Sequence, residues 1–259
     1  MQERHTNRNL YFRELSTTSK NYYLPYIKRF HRIEIATNIL EIGCGEGGNL
    51  LPFSQMGCMT TGVDIAVSRI EEAKHFFCKH QAKGNFIAKD IFNLKNVEPK
   101  YDIIICHDVI EHIEDKILLL SRIENFLKTD GIVFMSFPAW QMPFGGHQQI
   151  CKNRILSHLP YIHLLPTSLY KVMMRLIKEN EACIKELLSI KHTKITIEMF
   201  EQILERTDLT IRDRQLWLIN PHYEVKFGWH PCKLPYIFSN VPYIRNFFCS
   251  SCFYILSHR

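Results

Sequence analysis

Residues 38–50 read NILEIGCGEGGNL, a short apolar run that breaks into a cluster of glycines and then resumes as a helix-like segment. Glycines at 43, 45, 47 and 48 carry no Cβ, so the backbone can turn in the left-handed region and a ligand can reach its N–H groups. Two patterns fit these glycines: G-x-G-x-x-G through Gly43, Gly45 and Gly48, and E-x-G-x-G-x-G through Glu41, Gly43, Gly45 and Gly47. The glycines alone therefore do not name the ligand, but Glu41 discriminates. A dinucleotide lays a doubly anionic pyrophosphate over such a loop, and a carboxylate at the strand end repels it. A sulfonium amino acid, cationic at sulfur and at its ammonium group, is attracted. A glycine-rich turn with no ligand is the structural alternative.

The segment Leu40-Glu-Ile-Gly-Cys-Gly-Glu-Gly47 resembles the first motif of the class I S-adenosylmethionine-dependent methyltransferases. The resemblance extends well over residues 36–137 and loosely over 194–256. It implies a doubly wound, Rossmann-like α/β fold with a mostly parallel seven-stranded sheet, and S-adenosyl-L-methionine as cofactor. It implies contacts from Glu41, Gly43, Cys44 and Gly45. The expected activity is methyl transfer to a small-molecule acceptor, with an oxygen of a hydroxylated metabolite or sugar preferred and a quinone or lipid-linked acceptor left open. An NAD-dependent oxidoreductase and a non-catalytic module of the same fold are the competing readings.

Asp64 ends a second apolar strand roughly 20 residues beyond the glycines, the distance at which an acid accepts hydrogen bonds from both ribose hydroxyls, with Ile65 beside it. Capping of the helix expected over 66–80 is the plainer role for the same carboxylate. Asp90 and Ile91 follow a third strand, where the resemblance implies the adenine amino group and ring. His107 and Asp108 follow the continuous apolar run at 101–106, which reads as a central strand covered on both faces. By resemblance they line the methionine end. Tyr22, in an amphipathic lead-in over 14–33 interrupted near Pro25, is assigned to that end too, against simple packing on the core.

The remaining pattern places a core-facing helix at 114–128 closed by Thr129, Asp130 and Gly131, a fifth strand at 132–137, a helix from Thr196, and strands at 209–219 and 247–256. By resemblance the last two pair antiparallel at the sheet edge. Between them Asn220-Pro-His-Tyr223 is discounted as a base-methylation signature, because that signature belongs after the fourth strand. The expected organisation is a lid over 1–35 with a mobile tail at 1–10, a core over 36–137 and 194–259, and a cap over 138–193. The cap carries a helix at 168–190 with Leu169, Val172, Met173 and Leu176 on one face and is assigned substrate selection, since an insertion at the carboxyl edge of a parallel sheet overhangs the ligand crevice. Within it His147 follows two glycines and is the first candidate for general base, with His112 the second.

His107, Asp108, Glu111 and His112 invite a metal reading, which is set aside because no distant fourth ligand is evident; no metal is expected. A charge of +6 without a dense basic run predicts no nucleic-acid partner. No segment predicts a clean transmembrane span, and peripheral membrane contact is left open. Nine scattered cysteines, the lone Cys249 and Cys252 pair included, read as reduced thiols of a cytoplasmic protein.

Overall fold

The computed structural model describes residues 7–94 and 101–259. The chain opens with helix α1 (Arg8–Thr18), passes without a break through a π-helical turn (Ser19–Tyr23) and continues as α2 (Leu24–Ile27). The helix thus begins earlier than expected. Residues 8–10, assigned to a mobile tail, are helical, while residues 1–6 of that tail lie outside the described residues. Pro25 does not interrupt it, because the wider π turn just before it relieves the clash its ring would make with an α-helical carbonyl.

Strand β1 (Asn38–Ile42) leads through the glycine loop into α3 (Leu51–Gln55), then β2 (Met59–Asp64), α4 (Val67–Lys79), β3 (Asn85–Ala88), β4 (Tyr101–His107), α5 (Lys116–Phe126) and β5 (Leu127–Phe137). The insertion carries α6 (Arg154–His158), α7 (Thr167–Leu176) and α8 (Glu181–Thr193). The core resumes with α9 (Ile197–Leu204), β6 (Leu209–Ile219), α10 (His222–Phe227), β7 (Cys232–Lys233), α11 (Tyr236–Ser239), α12 (Arg245–Phe248) and β8 (Ser251–His258). The sheet order is β3-β2-β1-β4-β5-β8-β6-β7, with β8 antiparallel to both neighbours. There are eight strands rather than seven, because the two-residue β7 pairs with Trp217 and Ile219 at the edge.

Alternation along the central strands fixes the two faces. Ile39, Ile103, Ile105 and Phe134 point toward α1 to α4, while Leu40, Ile104, Cys106 and Met135 point toward α5 and α9. All eight are fully buried, as expected of strands covered on both sides.

Three element boundaries depart from expectation. Residues 127–131 extend β5 rather than closing a helix, held in part by Lys128 Nζ on Asp102 Oδ1 at 2.7 Å. The last strand begins at Ser251, because residues 245–248 form α12, which Glu198 of α9 captures. The long cap helix is two: Lys178 adopts a left-handed φ of 59°, and Asn180 caps α8 by accepting from Cys183 N at 2.6 Å. In consequence α7 buries Tyr170 and Met174, and Leu169, Val172 and Leu176, expected on its inner face, are exposed. The cap has its own small core, including Cys151, Leu156, Tyr170, Met174, Cys183 and Leu187. Among the described residues no helix is long and apolar enough to cross a membrane.

Candidate active site

The glycines divide by task. A Cβ on Gly43, at φ +69°, would stand 2.3 Å from Val109 Cγ2, so the loop presses against the exit of β4. A Cβ on Gly47 would sit 2.9 Å from the Phe86 ring, and one on Gly48 would sit 2.8 Å from Phe12 O and Leu15 Cβ. These two admit a neighbouring aromatic and helix α1, respectively. Gly45, at φ +50°, is buried but would meet only an arginine tip at 3.6 Å, and Gly43 is the exposed glycine of the loop. Cys44 turns the other way. Its thiol packs under Gly62 and its N–H donates to Val63 O at 3.1 Å, which leaves it in the core rather than among the contacts expected for it.

Gly43, Asp64, Ile65, Asp90 and Ile91 line one cavity of about 200 Å³, floored by Ile42 and Phe92. Asp64 does two things at once: Oδ2 accepts from Gly45 N at 2.9 Å and Oδ1 from Ala66 N at 2.8 Å, so it fixes both the glycine loop and the entry to α4. Each carboxylate oxygen keeps a second lone pair for a ribose hydroxyl. Asp90 Oδ1 accepts from Phe92 N at 3.0 Å, holding the turn that frames the cavity.

Glu41 lies beneath the loop, 1% exposed, with Oε1 accepting from Asn49 Nδ2 at 2.7 Å and Oε2 without a partner. Burial pushes its pKa up to about 8; the Asn49 bond opposes this and Asp64 adds to it. An unpartnered buried carboxylate oxygen is costly and calls for a cation or a donor. The residues present therefore fit a sulfonium amino acid carrying a nucleoside: acids at the tips of two strands, an apolar slot, an exposed glycine at the loop and an orphaned carboxylate oxygen.

The two neighbouring tyrosines of the lead-in helix take different partners. Tyr22, expected on the cofactor, donates its hydroxyl to Glu224 of α10. Tyr23, fully buried, brings its hydroxyl within 2.7 Å of His107 Nε2. The π turn sets this register by rotating the face of the helix at that point. His107 Nδ1 lies 3.6 Å from Asp108 Oδ2, and Asp108 holds a left-handed φ of 52° as the chain leaves β4. Tyr11, Tyr23 and Tyr223 all have phenol pKa values raised by burial and by the charge of Asp108. The aromatic connection at 220–246 is expected from sequence to wall the pocket, and Tyr223 does so. The 220–223 stretch, set aside only as a base-methylation signature, supplies Asn220, His222 and Tyr223 to the wall of a second cavity.

That second cavity, about 190 Å³, is also lined by Asp108, Met142, Phe144 and His147. His147 and His112 meet edge to face with ring centroids 5.2 Å apart. His147 lines the cavity and His112 does not, and burial lowers the pKa of both. Burial, with smaller contributions from His112 and His163, lowers the pKa of His147 to about 3. Burial also lowers His112, but the Asp108 carboxylate works against it. A proton is better placed on His112. Glu111 completes the group: it is 3% exposed, both oxygens lack partners, and burial followed by Asp108 holds its carboxyl well above the usual range. Donor atoms of Glu111, His112 and His147 all lie within 4.8 Å of one another, so the three could hold a divalent cation, although sequence reasoning set a metal aside. The missing partner was His147, brought in from another loop.

Two larger cavities, about 550 and 650 Å³, lie apart from this chemistry, one beside Thr37 and Asp102 and the other between α5 and α9. The first is at the amino edge of the parallel strands, whereas ligands of open α/β sheets sit at the carboxyl edge.

The sheet order, with a glycine loop after β1 and cavities at the carboxyl ends of the parallel strands, is that of the class I methyltransferases, which draw their methyl group from S-adenosylmethionine. The chain belongs to the family described as a methyltransferase domain, which matches residues 7–212. Among curated relatives, it is 31% identical over 115 residues to a ubiquinone biosynthesis O-methyltransferase of Rickettsia typhi, covering 44% of this chain and 46% of that protein. A protein of the same description from Bartonella quintana is 31% identical over 119 residues, covering 44% and 48%. The chain thus matches just under half the length of these relatives. Among solved structures, magnesium protoporphyrin IX methyltransferase from Synechocystis PCC 6803 with bound SAH superposes with a TM-score of 0.57 at 14% identity, covering 95% of this chain and 84% of that one. A S-adenosylmethionine-dependent methyltransferase from Clostridium acetobutylicum gives 0.57 at 14% identity, covering 93% and 91%. At such identities the likeness is one of fold.

Proposed function

We propose that this protein transfers a methyl group from S-adenosylmethionine to an oxygen of a small hydroxylated acceptor, and that the acceptor is aromatic. The observation that carries this reading is the pocket at the exit of β4, where Met142, Phe144 and Tyr223 present apolar and aromatic surface and His147 stands with Asp108 among them. A planar phenol fits the flat walls of Phe144 and Tyr223, and Gln149, Asn220, His222 and Ser250 on the same lining supply partners for polar groups on its ring. The O-methyltransferase description of the partial relatives agrees with an oxygen acceptor.

When bound, S-adenosylmethionine supplies an electrophilic methyl group. In this reading Asp64 accepts from the ribose hydroxyls, Asp90 and Ile91 frame the adenine, and Glu41 compensates the cationic end from beneath the loop. Tyr23 holds the His107 ring so that His107 and Asp108 shape the methionine end. His147 orients the acceptor hydroxyl and His112 takes its proton, with Asp108 stabilising the resulting imidazolium. The main contribution is alignment, since two reactants held in adjoining cavities need little further motion to react. We assign substrate selection to the cap, residues 138–193, which contributes Met142, Phe144 and His147.

The test is a panel of acceptors assayed with labelled S-adenosylmethionine: catechols and hydroxylated benzoates, sugars, and primary amines. Methylation of the phenolic members alone is expected. Turnover of sugars or amines with phenols inert would overturn the aromatic assignment while leaving the cofactor assignment standing.

A further inference from the structure

The cap contains a second cluster of donor groups that the reaction does not use. Cys151 lies in the loop before α6, fully buried; Glu179 and Cys183 flank Asn180 at the start of α8, 8% and 9% exposed. One ligand atom from each, two sulfurs and a carboxylate oxygen, lie within 4.8 Å of one another. We propose that Cys151, Glu179 and Cys183 form a structural zinc site that pins the cap together.

Three observations carry this. Glu179 Oε1 accepts from Asn153 N at 2.7 Å, which fixes the carboxylate, while its Oε2 is buried and has no partner. Two thiols and a carboxylate within 4.8 Å of one another are donors of the kinds zinc takes, and soft sulfur ligands discriminate against magnesium and calcium. The phenol of Tyr170, 1% exposed, is a second buried oxygen without a partner in the same small core.

The second consideration is size. The cap core consists of a handful of residues from α6, α7 and α8 and the loops between them. An apolar cluster that small supplies little stability alone, and small units commonly add a metal or disulfides. Cys151 is on one side of α6 and α7 in the chain and Glu179 and Cys183 are on the other, so a metal there closes the loop that contains both helices. Binding costs the two thiol protons, and the site would hold the helices whose loop presents His147.

The experiment uses the full chain, purified under reducing conditions and stripped of metal, titrated with cobalt as a spectroscopic stand-in for zinc. A thiolate-to-cobalt charge-transfer band that saturates at about one equivalent is expected, displaced by zinc. The Glu111, His112 and His147 cluster has no sulfur and gives no such band, so the two sites are read apart. Glu179→Gln keeps an acceptor for Asn153 N–H and should weaken cobalt binding by about tenfold to a hundredfold; Cys151→Ser and Cys183→Ser should each abolish the sulfur band. The wild-type titration needs no variant to fold. Absence of the band in reduced wild-type protein, its survival in both cysteine variants, or recovery of a Cys151 to Cys183 disulfide from protein that never binds zinc would overturn the proposal.

Discussion

The Tyr23 hydroxyl stands 2.7 Å from His107 Nε2, joining the N-terminal helix to the exit of the fourth strand at a point where neither ring reaches solvent freely. Through this bond the lead-in helix becomes part of the site's wall. Tyr23→Phe keeps the ring among Phe134 and Phe253 and removes one oxygen. It should cost about 1 to 3 kcal/mol of stability, the range for a buried polar group left unpaired, and should weaken S-adenosylmethionine binding. Urea unfolding and calorimetry with the cofactor check both. A variant with unchanged values in both would show that His107 is positioned by other contacts.

Glu41 makes cofactor binding and stability depend on pH. Its pKa is raised from 4.5 in the unfolded chain to about 8 in the fold, so the protonated form is favoured on folding. That contribution is fully present below about pH 4.5 and is lost as pH rises through 8. A cation seated above Glu41 favours the carboxylate, so binding the sulfonium compound near neutrality should release a proton. Calorimetry in buffers of differing ionisation enthalpy measures this number directly. Glu41→Gln should release none; equal release by wild type and variant would assign the proton elsewhere.

The two histidines separate by rate and by pH. His112→Gln should lower the single-turnover methylation rate by about 10² to 10⁴, the span of general base catalysis, and His147→Gln should lower it less. The pKa of His112 is lowered from 6.5, so it stays neutral and competent down to pH values below 6.5; the acid limb of the rate profile should therefore fall below 6.5 and vanish in His112→Gln. A deeper loss in His147→Gln than in His112→Gln would restore His147 as the base. Repeating both with a chelator present tests whether the pair acts through a divalent cation held with Glu111.

Glu198 anchors the C-terminal strand. It accepts from Arg245 Nε at 2.9 Å, Asn246 Nδ2 at 2.5 Å and Tyr243 N at 2.8 Å, tying α12 to α9 immediately before β8 enters the sheet. Burial raises its pKa, but these bonds outweigh burial and the net shift is downward from 4.5. The stability it adds is therefore present above pH 4.5 and lost as pH falls through the lower folded value. Glu198→Ala leaves Arg245 buried and half-partnered and should cost about 3 to 5 kcal/mol by denaturant titration at pH 7. A loss under 1 kcal/mol would mean that strand pairing alone holds β8 in place.

What the sequence by itself determined is local. The apolar run at 103–105 specified a central strand because its side chains must be covered on both faces, and Thr196 announced α9 because a hydroxyl there accepts from Met199 N, at 3.1 Å. Gly43, Gly45 and Asp64 were legible because glycine conformation and carboxylate placement act within a few residues of a strand end. The tertiary structure alone decided which tyrosine faces the site, since a π turn shifts the register by an amount no periodicity records. It also decided that His147 meets His112 and Glu111, that Cys151 meets Cys183 and Glu179, and that Arg245 meets Glu198. Each of those encounters joins segments far apart in the chain, and a contact of that kind depends on how whole elements pack, which the spacing of residues along one element does not encode.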